Sequence, residues 1–370
     1  MNEPSTFVGL DAHKSTIVIA MLLPGQREPV EWRIANEPTA VRRMARKLIL
    51  ESQGGVRCCY EAGPCGYALQ RQLKTLGIEC QVIAPSLIPI RPGTHIKTDR
   101  RDARKLAEML RAGILTEVHP PTEDEEAVRD LVRCRDDAQR DFTRARNRLA
   151  KFLLRRGLVC PGTLRLGSQR YESWLTKLSF ERQADQWVFE DYCLAVDQQR
   201  ARRESLDVRL LQIADQEPYR VPVGALRCFR GIDTITALAL VAELHDPRRF
   251  PSPRHLMGYL GLVPSESSSG GHRRQGGITR SGNRFLRRLL IEAAWAYRHK
   301  PKIGPRLRAR RAGQPATVIA LADRAQRRLC ARSRRMVAQG KRPCVVAVAI
   351  ARELTGFLWP ALQSWVPARA

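Results

Sequence analysis

The first 120 residues alternate short β-branched, apolar runs with amphipathic stretches, a pattern typical of a mixed α/β domain. Turn residues such as Pro24-Gly25 and Gly54-Gly55 separate the runs. The pattern predicts strands at 6–10, 16–22, 29–34, 56–60 and 80–84, and helices at 38–51, 65–75 and 98–111.

Residues 122–155 carry a heptad pattern, which predicts one long helix with an apolar seam. A second helical stretch is predicted over 170–216. We expect a central α-helical coiled-coil arm, and two interpretations stay open: helices packed within one chain, or an antiparallel arm that dimerises. One set of seam positions is Val128, Arg135, Phe142 and Leu149, and the other is Leu131, Ala138, Ala145 and Phe152.

From Pro222 onward the pattern predicts a mainly α-helical domain. Residues 228–237 are expected to form a turn between helices, although Asp233 stands where glycine would suit a phosphate-binding hairpin. Residues 266–283 are rich in Ser, Gly and Arg and are expected to form a loop. Further helices are predicted at 283–296, 315–339 and 343–356, and the expected domains are 1–120, 121–220, 221–311 and 312–370.

The charge balance indicates a polyanionic partner. The chain has 64 Lys and Arg against 37 Asp and Glu, a formal net charge of +27, and such a field attracts nucleic acid over a long range. No signal peptide is visible, and no apolar run approaches the roughly 20 residues that cross a bilayer. We therefore expect a cytoplasmic protein with no membrane partner.

Four carboxylates occupy positions where a metal site can form. Asp11 and Glu61 each end a predicted strand, and sites in α/β sheets form beyond strand ends. Asp99 and Asp102 share one face at the start of a predicted helix. Converging carboxylates require a cation, and an oxygen-only ligand set suits Mg²⁺ or Mn²⁺. The structural alternatives are that Asp99 caps its helix, Asp102 complements the helix dipole and Asp11 is a turn residue.

The motifs VGLDAHKSTIVIAM, CYEAGPCGY and KTDRRDARKLAEML resemble the DEDD, RuvC-like domain of one class of bacterial insertion-sequence transposases. The segments GIDTITALALVAELHDPRRF and GLVPSESSSGGHRRQGGITRSGNRFLRRLLIEAAWAY resemble the C-terminal transposase domain of the same class. The resemblance implies an RNase H-like (RuvC-like) fold and action in the bacterial cytosol or nucleoid. It also implies exchange of donor and target DNA strands, guided by a structured bridge RNA.

Carried over residue by residue, the resemblance makes Asp11, Glu61, Asp99 and Asp102 the catalytic metal ligands. It also implies a serine nucleophile in a Ser-Gly pair. We align Ser269, which precedes Gly270, with that serine, and Ser268 is the alternative. The arginines expected to hold nucleic acid are Arg273, Arg274, Arg280, Arg284, Arg287 and Arg288.

Two other functions remain open from the sequence. One is a RuvC-like junction-resolving nuclease in which the metal activates water. The other is a non-catalytic nucleic-acid-binding protein. Strand exchange between two duplexes favours a homodimer or homotetramer, with the heptad arm as the interface.

Overall fold

A six-stranded mixed sheet forms the centre of the N-terminal part of the protein. We describe residues 5–89, 98–160, 162 and 167–363 of a computed structural model, which divides into two units, Met1–Pro121 and Thr122–Ala370. The sheet order is β3-β2-β1-β4-β5-β6. The strands are β1 (Ser5–Ala12), β2 (Thr16–Leu22), β3 (Val30–Ala35), β4 (Gly55–Glu61), β5 (Glu79–Ile83) and β6 (Glu117–Val118).

Strands β1, β4 and β5 run parallel, while β2, β3 and β6 are antiparallel to their neighbours. Helices α1 (Pro38–Glu51) and α2 (Ala68–Thr75) share an apolar core with one face of the sheet. Helix α3 (Asp99–Arg111) packs on the other face through Ala103 and Ala107. The predicted strands and helices of this unit are confirmed to within about three residues at each end, and the arrangement is consistent with an RNase H-like domain.

The heptad helix is α4 (Glu123–Arg155), and its partner within the chain is α6 (Gln183–Ala214). The two run antiparallel, as the ion pairs Arg135–Asp207 at 2.6 Å and Arg156–Asp185 at 2.5 Å show. Arg135 interrupts the apolar seam because its guanidinium holds both carboxylate oxygens of Asp207.

The seam is filled by apolar side chains from the same chain. Phe142, Leu149 and Phe152 are buried in one cluster with Tyr171 and Phe189. Of the two interpretations of the heptads, packing within one chain accounts for these seam positions. The single helical stretch expected over 170–216 was wrong in one respect, because it divides into α5 (Gln169–Leu175) and α6.

The rest of the second unit is helical, and α4 and α6 share its core through Val132 and Leu210. The predicted loop over 266–283 is wrong in part, because it contains a two-stranded hairpin. The elements are α7 (Arg220–Leu226), α8 (Thr234–Leu244), α9 (Pro253–Tyr259), β7 (Pro264–Glu266), β8 (Gln275–Ile278), α10 (Arg284–Ala294), α11 (Pro305–Arg311), α12 (Ala316–Ala338) and α13 (Pro343–Gln363).

Helix α13 extends beyond the predicted 343–356. Among the described residues it is the one helix long and apolar enough to cross a membrane, by length and composition only. The expectation that no apolar run approaches membrane-spanning length did not anticipate this helix. Val346, Ile350 and Leu354 lie in the helical core. Glu353 forms an ion pair with Arg332 at 3.0 Å. These contacts are those of a core helix.

Leu149→Ala tests the intramolecular seam. Leu149 is 2% exposed, and removing a buried leucine side chain costs about 2–5 kcal/mol in the free energy of unfolding. Urea unfolding followed by circular dichroism measures this loss. Leu154→Ala on the same helix is the matched control, since Leu154 is 55% exposed and should change stability by less than about 0.5 kcal/mol. Equal effects of the two substitutions would contradict the seam assignment.

Candidate metal centre and serine hairpin

Helix α3 lies directly on strand β1 because β1 has glycine at position 9. A Cβ built on Gly9 would stand 2.0 Å from the carbonyl oxygen of Ala103 and 2.5 Å from the amide nitrogen of Ala107. Both are backbone atoms, so neither can turn aside. Only glycine permits this approach.

This approach brings the first turn of α3 to the end of β1. Side chains alternate between faces along a strand, so Asp11 projects on the same face as Gly9. Thr98 caps α3, and its side-chain oxygen accepts a hydrogen bond from the amide of Arg101. The alternative that Asp99 caps the helix is therefore wrong, and Asp99 and Asp102 occupy its first turn.

Three side chains converge at this edge of the sheet. The Nε2 atom of His13 lies 3.2 Å from Oδ2 of Asp11 and 3.7 Å from Oδ1 of Asp99. One ligand atom from each residue lies within 4.8 Å of the other two. Ligands on opposite sides of an octahedral Mg²⁺ are about 4.2 Å apart, so the spacing fits one divalent ion after small movements. Arg33 also reaches Asp99 at 3.4 Å.

Glu61 lies at the same edge but outside this close group. In the parallel register, Gly9 pairs with Cys59 and Leu10 with Tyr60. Glu61 therefore follows on the face that carries Asp11. Its side chain is exposed, and it is not among the residues whose ligand atoms meet within 4.8 Å.

The electrostatics of Asp11 are set by its burial and by the charged side chains around it. Burial raises the pKa of Asp11 above its usual value, and the nearby Asp99 and Asp102 raise it further, while His13 lowers it. Like charges held close together favour the protonated form unless a positive charge enters. The donor set and its charge therefore suit a hard divalent cation.

Two residues of this site were not predicted. The sequence analysis expected oxygen ligands only, whereas the structure adds His13. Gly9 was assigned no role. Both stand within two positions of Asp11 in the motif VGLDAHK, and this proximity to a candidate ligand was the available signal.

The serine run lies on a β-hairpin. Strands β7 and β8 pair antiparallel, and Ser269 and His272 exchange both backbone hydrogen bonds, at 3.3 and 3.0 Å. Gly270 and Gly271 form the turn with φ of +54° and +84°, the two left-handed positions that a tight hairpin turn requires. Ser269 therefore stands beside the hairpin tip.

Ser268 has a different environment. Its hydroxyl donates to Oε1 of Glu266 at 3.0 Å and accepts from the amide of Arg274 at 3.3 Å. Hydrogen bonds from Gln275, Arg273 and Ser268 lower the pKa of Glu266. Ser268 is thus part of the hydrogen bonding that joins the two sides of the hairpin.

The base of the hairpin is clamped by Arg287, which is 8% exposed. Its Nη1 donates to the carbonyl oxygens of Leu260, at 2.8 Å, and Ser281, at 2.7 Å, one on each side of the hairpin. Burial lowers the pKa of Arg287, as do the neighbouring Arg280 and Arg284. The expected nucleic-acid contact does not fit a guanidinium used in this way.

The other five arginines differ in their accessibility. Arg288 forms ion pairs with Asp136 and with Glu292, so its guanidinium is partly engaged within the protein. The remaining four are exposed at the hairpin and the start of α10: Arg273, Arg274, Arg280 and Arg284.

A buried acid that sequence analysis missed fixes the start of α10. Glu243, 3% exposed, accepts from Arg133 at 2.6 Å and from Nδ2 of Asn283 at 2.7 Å. Oδ1 of Asn283 in turn caps α10 by accepting from the amide of Leu286. Glu243 is the one charged residue of the otherwise mainly apolar helix α8, and this was the available signal.

Two family models match the chain. The model described as "Transposase IS116/IS110/IS902 family" matches residues 224–309. A DEDD-type model of the IS110 class, described as "Transposase", matches residues 8–156. The first range contains the serine hairpin, and the second contains all four predicted acids.

Three proteins named as transposases are similar to this chain. The chain is 42% identical, over 95% of its length and 87% of the relative, to y4qE of Sinorhizobium fredii, a protein named as a transposase. It is 39% identical to the transposase for insertion sequence element IS1533 of Leptospira borgpetersenii, over 87% of this chain and 94% of the relative. The transposase for insertion sequence element IS1328 of Yersinia enterocolitica is 30% identical over 62% of this chain and 67% of the relative.

Gly9→Ala should displace α3 and weaken the metal site. Forcing atoms into packed backbone costs about 1–3 kcal/mol in the free energy of unfolding, and the shift should also lower Mn²⁺ affinity measured by calorimetry. Gly55→Ala is the matched control, because it lies in β4 with no atom within 4 Å of its built Cβ. If Gly9→Ala has the wild-type free energy of unfolding and the wild-type Mn²⁺ affinity, the close approach of α3 to β1 is not needed for the metal site.

Asp11→Asn should stabilise the metal-free protein at pH 7. Because the pKa of Asp11 is raised in the folded state, the native protein binds that proton more tightly than the unfolded chain. The contribution of Asp11 to stability is therefore fully present at acid pH and is lost as the pH rises through its folded pKa. Asparagine removes this dependence, together with the stabilisation that added Mg²⁺ provides.

Thermal unfolding at pH 4 to 8, with and without Mg²⁺, measures both effects. Asp197→Asn, at a side chain that is 66% exposed, is the control and should change neither. A lower melting temperature for metal-free Asp11→Asn at pH 7 would contradict the assignment.

Proposed function

The chain belongs to the IS116/IS110/IS902 family of transposases, and from this we propose that it cuts and rejoins DNA with a serine nucleophile and a metal-binding acidic centre. The observation that carries the proposal is the convergence of Asp11, Asp99 and His13 at the edge of the sheet. Two carboxylates held this close repel each other, and a bound divalent cation offsets that repulsion.

In this proposal Asp11 and Asp99 are the principal ligands, and Glu61 and Asp102 complete the set. The divalent ion, Mg²⁺ or Mn²⁺, polarises the scissile phosphate when it is bound. His13 can supply a nitrogen ligand or hold Asp11 in position through its hydrogen bond of 3.2 Å.

Ser269 supplies the nucleophile in the proposal. Its Oγ forms a bond to phosphorus as one ester bond of the DNA backbone breaks, the serine proton leaves, and the released deoxyribose oxygen takes up a proton. The phosphoserine link keeps the energy of the ester, so attack by a second DNA hydroxyl rejoins the strand and frees the serine. The turn at Gly270-Gly271 supports Ser269 over Ser268, whose hydroxyl is already used within the hairpin.

The exposed arginines of the hairpin support binding of a DNA backbone. Arg273, Arg274, Arg280 and Arg284 are exposed on the hairpin and at the start of α10, and guanidinium groups hold phosphate by paired hydrogen bonds. These contacts position DNA without reading its sequence.

The proposal also includes a bridge RNA that selects the target DNA. The protein would act as a homodimer or homotetramer, with the coiled-coil arm of α4 and α6 as the interface. A net charge of +27 suits a protein that holds RNA as well as donor and target DNA. Base pairing by the RNA would then supply sequence recognition, with the duplex bound through its shape and backbone.

Ser269→Ala should abolish the covalent protein–DNA adduct. With a labelled element-end DNA, its transcribed flanking RNA and Mg²⁺, wild type should give a protease-sensitive shifted band on a denaturing gel. We expect strand exchange to fall by at least about 10³-fold in Ser269→Ala, since the nucleophile is lost, whereas Ser268→Ala should keep the adduct.

The same assay separates the alternatives. Asp11→Asn should stop cleavage without preventing DNA binding. Metal-dependent cuts with no adduct in any variant would instead indicate a junction-resolving nuclease that uses water. Binding without any cleavage would indicate a non-catalytic protein.

A further inference from the structure

A cleft of about 440 Å³ opens where the end of α10 meets α12 and the start of α13. We call it the base cleft. Its walls are mainly apolar, and an aromatic ring and two nitrogen-bearing side chains stand among them. The lining includes Trp295, Arg298, His299, Val337, Pro343 and Ile350.

The size and lining fit a flat heteroaromatic ring. Small-molecule sites typically measure about 300–1,000 Å³ and combine apolar walls with a few polar groups. Trp295 is half-buried, and the Arg298 guanidinium lies 5.9 Å from its ring centroid. A base stacked on an aromatic ring, with its phosphate near an arginine, is the usual arrangement for an unpaired nucleotide.

The charge around the base cleft favours nucleic acid over an apolar protein segment. Arg298 and His299 line the cleft itself. Lys341 and Arg342, immediately before α13, are exposed beside the lining residue Pro343. A helix from another protein would have to cover these cations, whereas a nucleotide carries the phosphate that pairs with them.

A second cleft lies along the same helix, α12. It measures about 350 Å³ and is lined in part by Lys302, Gln326 and Arg327. Gln326 and Ser333 of the base cleft are seven positions apart on α12, so they share one face about 10 Å apart along the axis. That distance corresponds to about three stacked nucleotides at 3.4 Å per nucleotide. The second cleft therefore offers the cations of Lys302 and Arg327 to a neighbouring nucleotide, beside the carboxylate of Asp323.

The position relative to the serine hairpin gives the base cleft a role. Helix α10 begins beside the hairpin at Arg284 and ends next to Trp295. Its 11 residues span about 16 Å. An enzyme that opens duplexes to exchange strands has to hold the separated nucleotides a short distance from the cut.

We propose that the base cleft binds an unpaired nucleotide of DNA, with the base stacked on Trp295 and the phosphates held by Arg298 and His299. The proposal rests on the proposed function, because it assigns a strand to the DNA-processing site. The second cleft, through Lys302 and Arg327, takes the backbone of the neighbouring nucleotides.

Photocrosslinking of the full chain tests this directly. A single-stranded 20-mer of thymidine with one central 5-iododeoxyuridine is irradiated in the ultraviolet, and the crosslinked peptide is identified by mass spectrometry. The expected site is Trp295. The same sequence annealed as a duplex, and its RNA counterpart, are run in parallel and should crosslink poorly at that position.

Fluorescence anisotropy measures how much Trp295 contributes to the affinity for single-stranded DNA. Trp295→Ala should weaken single-stranded DNA binding by about 5- to 150-fold, the range for losing one stacked base, and Trp295→Phe should restore most of it. Trp187→Ala is the matched control, because Trp187 is 63% exposed on α6, away from the cleft, and should bind like wild type.

The outcomes separate the two proposals. Crosslinks at other residues, equal losses in Trp187→Ala and Trp295→Ala, or crosslinking of Trp295 to RNA alone would overturn the base cleft, even if metal-dependent cleavage continued. Crosslinking of DNA to Trp295 in a protein that never cleaves would support the base cleft and overturn the proposed catalytic function.

Discussion

The N-terminal unit depends on the contact between a glycine in a strand and the backbone of a helix. With no Cβ at position 9, the carbonyl of Ala103 and the amide of Ala107 reach the surface of β1. The first turn of α3 then stands over the end of the same strand, two residues from Gly9 at Asp11. The acidic group is therefore assembled by a packing distance, and the chemistry of the site follows from it.

In the second unit, buried polar groups hold the serine hairpin in place. A hairpin with an exposed serine needs a rigid base, and here the base is built from buried polar groups. Arg287 joins Leu260 to Ser281, and Glu243 ties Asn283 to Arg133. Close contacts at Gly261 and Gly282, where any Cβ would meet backbone atoms, leave the segment little freedom. Support of this kind holds the hairpin in one geometry more precisely than an unsupported loop.

Arginine serves two purposes in this protein, so net charge does not map directly onto a binding surface. Arg135, Arg133 and Arg311 form ion pairs with acids inside the helical unit, and their guanidinium groups replace apolar packing with directed hydrogen bonds. Glu243 is the most buried of these acids, with a side chain 2% exposed, and breaking its pair with Arg133 would leave an uncompensated buried charge at high cost. The exposed arginines of the hairpin, in contrast, remain accessible to solvent.

The sequence by itself determined the elements, because apolar periodicity is a local property. The strands around Asp11 and Glu61, the long heptad helix and the motif-bearing segments follow from spacing alone. The resemblance to the transposase family also followed from the residues of the sequence motifs. Only the tertiary structure decided which residues meet: His13 joins Asp11 and Asp99, Glu61 stands slightly apart, and Arg287 turns inward. Those outcomes depend on distances between elements remote in the chain, and no local pattern encodes a distance of that kind.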